Sequence, residues 1–250
     1  MYLIVGDIHG CARTLNKLLD EAFKRYPIGE VFILGDLIDR GRYSREVLEL
    51  LNGLKSKIPT TIFLGNHEDM FLDFVLDTKR YETNLWFYNG GEATVESFDG
   101  DVILKGDGYI RDFSRENIWG KFSSIFDSLE IFKELSLGGR KYLLSHAGGF
   151  YGDKTPEEFY RTLELREKKL LFPFIWDRKA DFRTERYQDF TIIHGHTPTK
   201  KISHHDPDTP YVNKNISINI DTGCVYGYAL SSVLISHEGD FEFLSVKCVD

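Results

Sequence analysis

The stretch Val31-Phe32-Ile33-Leu34-Gly35-Asp36-Leu37-Ile38-Asp39-Arg40-Gly41 is a short apolar run that stops at a glycine and then delivers two aspartates and an arginine. An apolar run of this length bounded by a turn signal predicts a strand covered on both faces. In open α/β sheets, ligands collect beyond the carboxyl ends of such strands. Asp36 is therefore expected at the rim of a sheet, facing a cleft. A single Gly-Asp pair is weak, because an aspartate there is often only the N-cap of the next helix. The pattern, however, recurs. Tyr2-Leu3-Ile4-Val5 leads into Gly6-Asp7-Ile8-His9-Gly10, and Thr60-Thr61-Ile62-Phe63-Leu64 leads into Gly65-Asn66-His67-Glu68. Three such strands side by side would bring Asp7, His9, Asp36, Asn66 and His67 to one edge.

Working outward, Leu15, Leu18, Leu19, Ala22 and Phe23 recur at helical spacing, which predicts a helix from about Arg13 to Tyr26 that Pro27 and Gly29 terminate. Val47, Leu48, Leu51 and Leu54 repeat the pattern before Pro59. The order β-α-β-α-β implies parallel strands with right-handed crossovers. Met70 to Leu76 reads as the next helix. Between Asp77 and Leu129 the alternation stops, and Trp86, Asn89-Gly90-Gly91, Trp119, Phe122, Ile125, Phe126 and Leu129 are read as a helical insertion with its own small core, walling one side of the cleft.

Beyond it, Glu130–Ser136 and Arg140–Ser145 flank Leu137-Gly138-Gly139 as a hairpin whose second strand ends in His146-Ala147-Gly148. Thr155-Pro156-Glu157-Glu158 has the form of a capping box with proline at the first helical position. Thr191-Ile192-Ile193 runs into His194-Gly195-His196-Thr197-Pro198. The tail, from Ile216, Ile218 and Ile220 through Ala229–Ile235 and Phe241–Val246, is expected to close a second sheet. The whole of 1–250 is read as one α/β domain.

Composition narrows the classes. A net charge of -8 and a pI near 5.5 argue against a nucleic-acid or anionic-membrane surface. They do not exclude a phosphorylated substrate, since metal ions invert a local field. Cys11, Cys224 and Cys248 are an odd number, far apart in sequence and without a Cys-x-x-Cys pair, so reduced thiols and a cytoplasmic location are expected. Neither a signal peptide nor a run approaching the ~20 apolar residues of a membrane span is visible.

Asp7, His9, Asp36, Asn66, His146 and His196 form a set of imidazoles, carboxylates and one amide with no thiolate, which suits manganese, iron or zinc. Six candidate ligands exceed the need of one tetrahedral ion. A carboxylate can bridge two ions ~3.5–4 Å apart, and Asp36, central in the array, is the candidate bridge. His194 reads as structural, His204, His205 and His237 as surface residues, and Cys11 is given no role.

Gly6-Asp7-Ile8-His9-Gly10, Gly35-Asp36-Leu37-Ile38-Asp39-Arg40-Gly41 and Gly65-Asn66-His67-Glu68, followed by His146-Ala147-Gly148 and Gly195-His196-Thr197-Pro198, resemble the signature motifs of PPP-type phosphatases within the calcineurin-like metallophosphoesterases. The resemblance spans nearly the whole chain. It implies a sandwich of two mixed β-sheets flanked by helices and a pair of divalent ions, with manganese first and iron or zinc as alternatives. It further implies that Asp7, His9 and Asp36 hold one ion and Asp36, Asn66, His146 and His196 the other. His67 corresponds to the general acid, oriented by Asp39. Arg40 corresponds to a phosphate clamp, and Arg178, in Trp176-Asp177-Arg178, to a second. Pro198 stands where many non-PPP members carry another histidine. Asp221-Thr222-Gly223-Cys224-Val225-Tyr226-Gly227 resembles bacterial and phage-type members, which include protein phosphatases and symmetrical diadenosine tetraphosphate hydrolases. The implied activity is phosphomonoester hydrolysis by a metal-bridging hydroxide, phosphoserine or phosphothreonine in proteins first and a dinucleoside tetraphosphate second. A phospho-binding protein without turnover is the non-enzymatic alternative, disfavoured because every motif residue is present.

Overall fold

The computed structural model describes residues 1–81, 85–98, 101–105, 108–112, 115–149 and 168–250. Two five-stranded mixed sheets face each other. The first has the order β12-β11-β1-β2-β3, with β1 (Tyr2–Val5), β2 (Glu30–Ile33) and β3 (Thr60–Ile62) parallel and β11 (Ala229–Ile235) antiparallel to both β1 and β12 (Phe241–Lys247). The second has the order β6-β7-β8-β10-β9, from β6 (Phe132–Leu137), β7 (Arg140–Ser145), β8 (Phe190–His194), β10 (Ser217–Asn219) and β9 (Tyr211–Asn213).

Side chains alternate between layers as strand geometry requires. Ile4, Phe32 and Leu34 point between the sheets, where they meet Phe63, Leu144, Ile193, Ile218 and Val233. Leu3, Val5, Val31 and Ile33 point the other way, under α1 (Ala12–Arg25) and α2 (Ser44–Lys55) through Leu15, Leu18, Val47 and Leu51. Both faces of the central strands are thus buried, which is why they read as continuous apolar runs. A third layer forms on the far side of the second sheet, where Phe174 and Ile175 of α6 (Lys168–Ile175) meet Phe132, Leu143 and Ile192. Among the described residues, no helix is long and apolar enough to cross a membrane.

Three expectations change. The last two strands join the first sheet, not the second. Val5 pairs with Ser232 and Tyr2 with Ile235, so β11 covers the otherwise open edge of β1, and only β10 extends the second sheet. The segment 77–129 is not purely helical, because β4 (Asp101–Lys105) and β5 (Gly108–Asp112) form an antiparallel hairpin between α4 (Glu92–Ser97) and α5 (Arg115–Phe126). Nor is its core separate, since Trp86, Phe87, Phe122, Ile125 and Phe126 share one apolar cluster with Phe71, Leu48 and Val5. Finally, α3 begins at Asn66 and runs to Leu76, so Asn66 and His67 occupy its first turn. Thr155–Glu158 and the side chain of Trp119 lie outside the described residues.

Candidate active site

The carboxyl ends of β1, β2, β3, β7 and β8 converge, and the loops leaving them carry Asp7 with His9, Asp36, Asn66, His146 and His196. All six side chains are buried. The convergence is tight enough to force unusual backbone: His9, Asp36, Asp39, Arg40 and His196 all hold positive φ, between 46° and 73°. A non-glycine residue there costs on the order of 1–3 kcal/mol and persists only when its surroundings over-determine it. Those surroundings can be named. The N–H groups of Ile8 and His9 donate to the Asp36 carbonyl at 3.1 and 2.8 Å, and that of Gly10 donates to the Leu37 carbonyl at 2.9 Å. The Glu68 carboxylate, from the first turn of α3, accepts the N–H groups of Asp36 and Leu37 at 2.8 Å each, Ile38 at 3.3 Å and Gly65 at 3.2 Å. Gly65 is obligatory because a Cβ there would strike Asp36, and at Gly195 a Cβ would strike the Asp7 carboxylate.

Asp36 is the shared vertex of the donor atoms. His9, Asp36 and His67 form one compact donor group and Asp36, His146 and His196 another, with ligand atoms within 4.8 Å in each. Oδ2 of Asp36 lies 3.3 Å from His9 Nε2, and Oδ1 lies 3.3 Å from His146 Nε2. The ring orientations suit ligation. His9 Nδ1 faces the Ile38 carbonyl at 2.9 Å and His146 Nδ1 the Leu34 carbonyl at 2.8 Å. Donating there leaves each Nε2 with a lone pair aimed into the cluster. His146 Nε2 lies 3.1 Å from Asn66 Oδ1 and 3.2 Å from His196 Nδ1, which is itself 2.8 Å from that oxygen. These three atoms have at most one hydrogen, on His196 Nδ1, to share among them, whereas a cation placed between them would engage all three lone pairs. The residues present therefore fit divalent ions, and Asp36 is the one carboxylate common to both groups.

Electrostatics agree. Burial pushes His146 down to about 4, and burial likewise lowers His9 and His196, so these imidazoles stay neutral at neutral pH, the form that binds metal. Burial raises Asp36, but the attraction of His146, His67 and His9 in their protonated forms, a positive charge that a bound metal ion would supply instead, outweighs it and places the carboxyl well below the usual range. Burial, Asp221 and Asp36 push Asp7 well up, and burial raises Asp221 to about 6.

His67 and Asp39 form a buried pair alongside. His67 Nδ1 meets Asp39 Oδ2 at 2.7 Å with both side chains fully buried, and His67 Nε2 has no hydrogen-bond partner among the described residues. Asp39 is held in turn by the Trp86 indole N–H at 2.9–3.0 Å and the Thr94 hydroxyl at 2.6 Å. Arg40 Nη1 donates to His9 Nε2 at 2.7 Å, and Arg178 Nη1 approaches the His196 carbonyl at 3.5 Å and Thr197 Oγ1 at 3.4 Å, so both guanidinium groups border the cluster. His194 stands aside, buried, with Nε2 3.3 Å from Asp181.

Four residues that support the cluster, Glu68, Asp221, Trp86 and Thr94, had no role at the site in the sequence reading. Glu68 stood inside a quoted motif, where its position three residues into a helix was a capping signal. Asp221 directly follows an alternating strand, without the continuous apolar run and glycine that marked Asp7 and Asp36. Trp86 and Thr94 carried no local signal.

The fold and donor set define a metal-dependent phosphoesterase. The calcineurin-like phosphoesterase family matches residues 2–227, and the chain belongs to that family. It is 26% identical to the asymmetrical bis(5'-nucleosyl)-tetraphosphatase PrpE of Halalkalibacterium halodurans over 97% of this chain and 92% of that one. It is 27% identical to the PrpE of a Geobacillus species over 92% and 88%. A Saccharomyces cerevisiae protein serine/threonine phosphatase shares the fold, with a TM-score of 0.62 at 15% identity, covering 100% of this chain and 80% of that one.

Two predictions follow from this geometry. Asp36→Asn should abolish turnover and weaken metal binding more than loss of any single non-bridging ligand; metal analysis showing two tightly held ions with normal turnover would refute the bridging assignment. In metal-free protein, Asp221 has its carboxyl raised from 3.8 to about 6, so its ionisation costs more in the folded than in the unfolded chain. Its contribution is fully present below 3.8 and is lost as pH rises through about 6. Asp221→Asn keeps the oxygen that accepts the Gly223 N–H. It should therefore melt with wild type at about pH 4 and several degrees higher at about pH 7.5. Parallel melting curves at all pH values would reject it.

Proposed function

We propose that this chain hydrolyses dinucleoside polyphosphates at a pair of divalent ions, cleaving them asymmetrically. The observation that carries the substrate class is a convergence of cations beyond what one phosphomonoester needs. Arg40 and Arg178 border the donor cluster, and Lys200 and Lys201 follow His196 on the same loop. Burial lowers the Lys201 ammonium, and the charges of Arg178, Lys200 and Arg40 lower it further against the opposing pull of Asp221. Several positive charges on one side of the donor cluster suit a chain of phosphates, which neutralises more than one at once. Half-exposed Tyr226 stands among them, with Lys200 Nζ 3.8 Å from its ring centroid and the Arg40 guanidinium 6.0 Å away, and offers a face on which a base can stack. The names of the relatives that match over most of their length support the same substrate.

Asp7, His9, Asp36, Asn66, His146 and His196 would hold the two ions. When bound, these supply Lewis acidity and an activated water. Arg40 and Arg178 grip phosphate oxygens as planar forks. His67, in the imidazolium form that the Asp39 carboxylate at its Nδ1 stabilises, donates the Nε2 proton to the departing oxygen.

A second reading, hydrolysis of phosphoserine or phosphothreonine in proteins, is favoured by the completeness of the His67–Asp39 pair, because a serine alkoxide cannot leave unprotonated. Manganese-loaded protein assayed side by side on diadenosine tetraphosphate, phosphopeptides and a small aryl phosphate separates the two. We expect the highest kcat/KM on the dinucleotide with AMP and ATP as products. Two ADP would signify symmetrical cleavage, and preference for the peptide would overturn the substrate assignment. His67→Ala should slow hydrolysis of phosphoserine by about 10²–10⁴-fold and that of nitrophenyl phosphate far less, with both ions retained. Loss of an ion in that variant would make His67 a ligand.

A further inference from the structure

Behind the loop that carries Asp7 and His9, the fold gathers thiols from three distant parts of the chain. Cys11 follows Gly10 and caps α1, Cys224 opens a short turn three residues after Asp221, and Cys248 directly follows β12. All three are free, Cys11 and Cys224 buried and Cys248 partly exposed. Their sulfur atoms lie within 4.8 Å of one another.

The backbone holds them there. The Cys248 N–H donates to the Tyr228 carbonyl at 3.0 Å and the Val249 N–H to Thr14 Oγ1 at 3.0 Å. Asp250 accepts the Arg13 and Thr14 N–H groups at 2.9 Å each and the Thr14 hydroxyl at 2.6 Å. Segment 248–250 is therefore fastened to the first turn of α1, and Cys248 is fixed opposite Cys11. The Cys11 thiol lies 3.7 Å from the carbonyl of His9.

We propose that Cys11, Cys224 and Cys248 bind one thiophilic d¹⁰ cation of the zinc type, at a site separate from the nitrogen and oxygen cluster of the cleft. A zinc–sulfur bond of ≈ 2.3 Å sets sulfur separations of roughly 3.8–4.0 Å in tetrahedral or trigonal coordination. The thiols are already within 4.8 Å, so contraction by less than an ångström, within reach of side-chain rotation, completes the site. Binding forms three metal–sulfur bonds, breaks three S–H bonds and releases three protons to solvent. The partly exposed Cys248 is the way in. The two sites sort ions by ligand chemistry: an all-sulfur site takes soft cations, whereas imidazole and carboxylate accept manganese. The bound ion would tie the loop of His9, the loop of Asp221 and the segment after β12 into one unit, a structural role with no direct part in hydrolysis.

The test is titration of the manganese-loaded protein with Cd²⁺ under a phosphine reductant, which contributes no thiol. We expect a thiolate-to-cadmium charge-transfer band that saturates at one equivalent, together with a rise in Tm. The nitrogen and oxygen site cannot give this band. Cys248→Ser, at the least buried of the three positions, should keep its manganese and its aryl phosphate turnover while losing band intensity in proportion to the missing thiolate and binding Cd²⁺ more weakly. Absence of the band in wild type, or a band unchanged in Cys248→Ser, would overturn the site. A fully reduced protein with no band that forms a disulfide in air would also overturn it, leaving a redox pair in its place.

Discussion

The Glu68 carboxylate is the fastening on which the rest of the site depends. From the first turn of α3 it accepts four backbone N–H groups, three of them consecutive in the loop after β2, and so fixes the conformation in which Asp36 and Asp39 both hold positive φ. Burial, Asp36 and Asp39 push its own carboxyl up to about 8, against the pull of the N–H donors. A group under such opposed demands costs stability wherever it is placed, and its cost is offset only by the order it imposes on the loop. Asp36 can then face His9 and His146 at the same time, while the His67 N–H, also in the first turn of α3, donates to Asp36 Oδ1 at 3.1 Å. The helix N-terminus thereby supports the charge that the loop presents.

Around this fastening the protein concentrates groups that oppose folding. Asp7, Asp36, Asp39, Glu68 and Asp221 are all buried in one region, along with His9, His67, His146 and His196. Uncompensated carboxylates in such an environment are expensive, and the upward shifts of Asp7, Asp221 and Glu68 express that expense. Divalent cations would reverse the sign of the problem, turning a repulsive cluster into a coordination sphere. The scaffold carries the strain because both parallel strands beneath it are packed on two faces, with Ile4 and Phe32 between the sheets and Val5 and Ile33 under the helices.

The segment between α3 and the second sheet is integrated into this arrangement. Trp86 packs on Phe71 and Phe74 at ring separations of 5.3 and 5.0 Å while its indole N–H reaches Asp39. The Gly90 carbonyl accepts the Arg40 N–H at 3.1 Å, and a Cβ at Gly90 would press on Arg40 itself. This segment thus orients the carboxylate behind His67 and the backbone of Arg40. Changes in its packing reach the chemistry through Asp39 and Arg40.

The sequence by itself determined the strand ends and the donor side chains that follow them. Strand, turn and functional side chain are contiguous there, so Val31–Leu34 followed by Asp36, or Tyr2–Val5 followed by Asp7, is a local pattern that survives whatever the rest of the chain does. The parallel order of β1, β2 and β3 followed from the helices between them. Only the tertiary structure decided which sheet receives β11 and β12, because an alternating strand carries no mark of the edge it pairs with. It also decided that Trp86 and Thr94 close the shell of Asp39, 47 and 55 residues away in sequence. The cation group around Lys201 and the three thiols at Cys11, Cys224 and Cys248 were likewise invisible in a linear pattern. Each is made of residues that are unremarkable alone and acquire chemistry only when chain crossings bring them within a few ångströms.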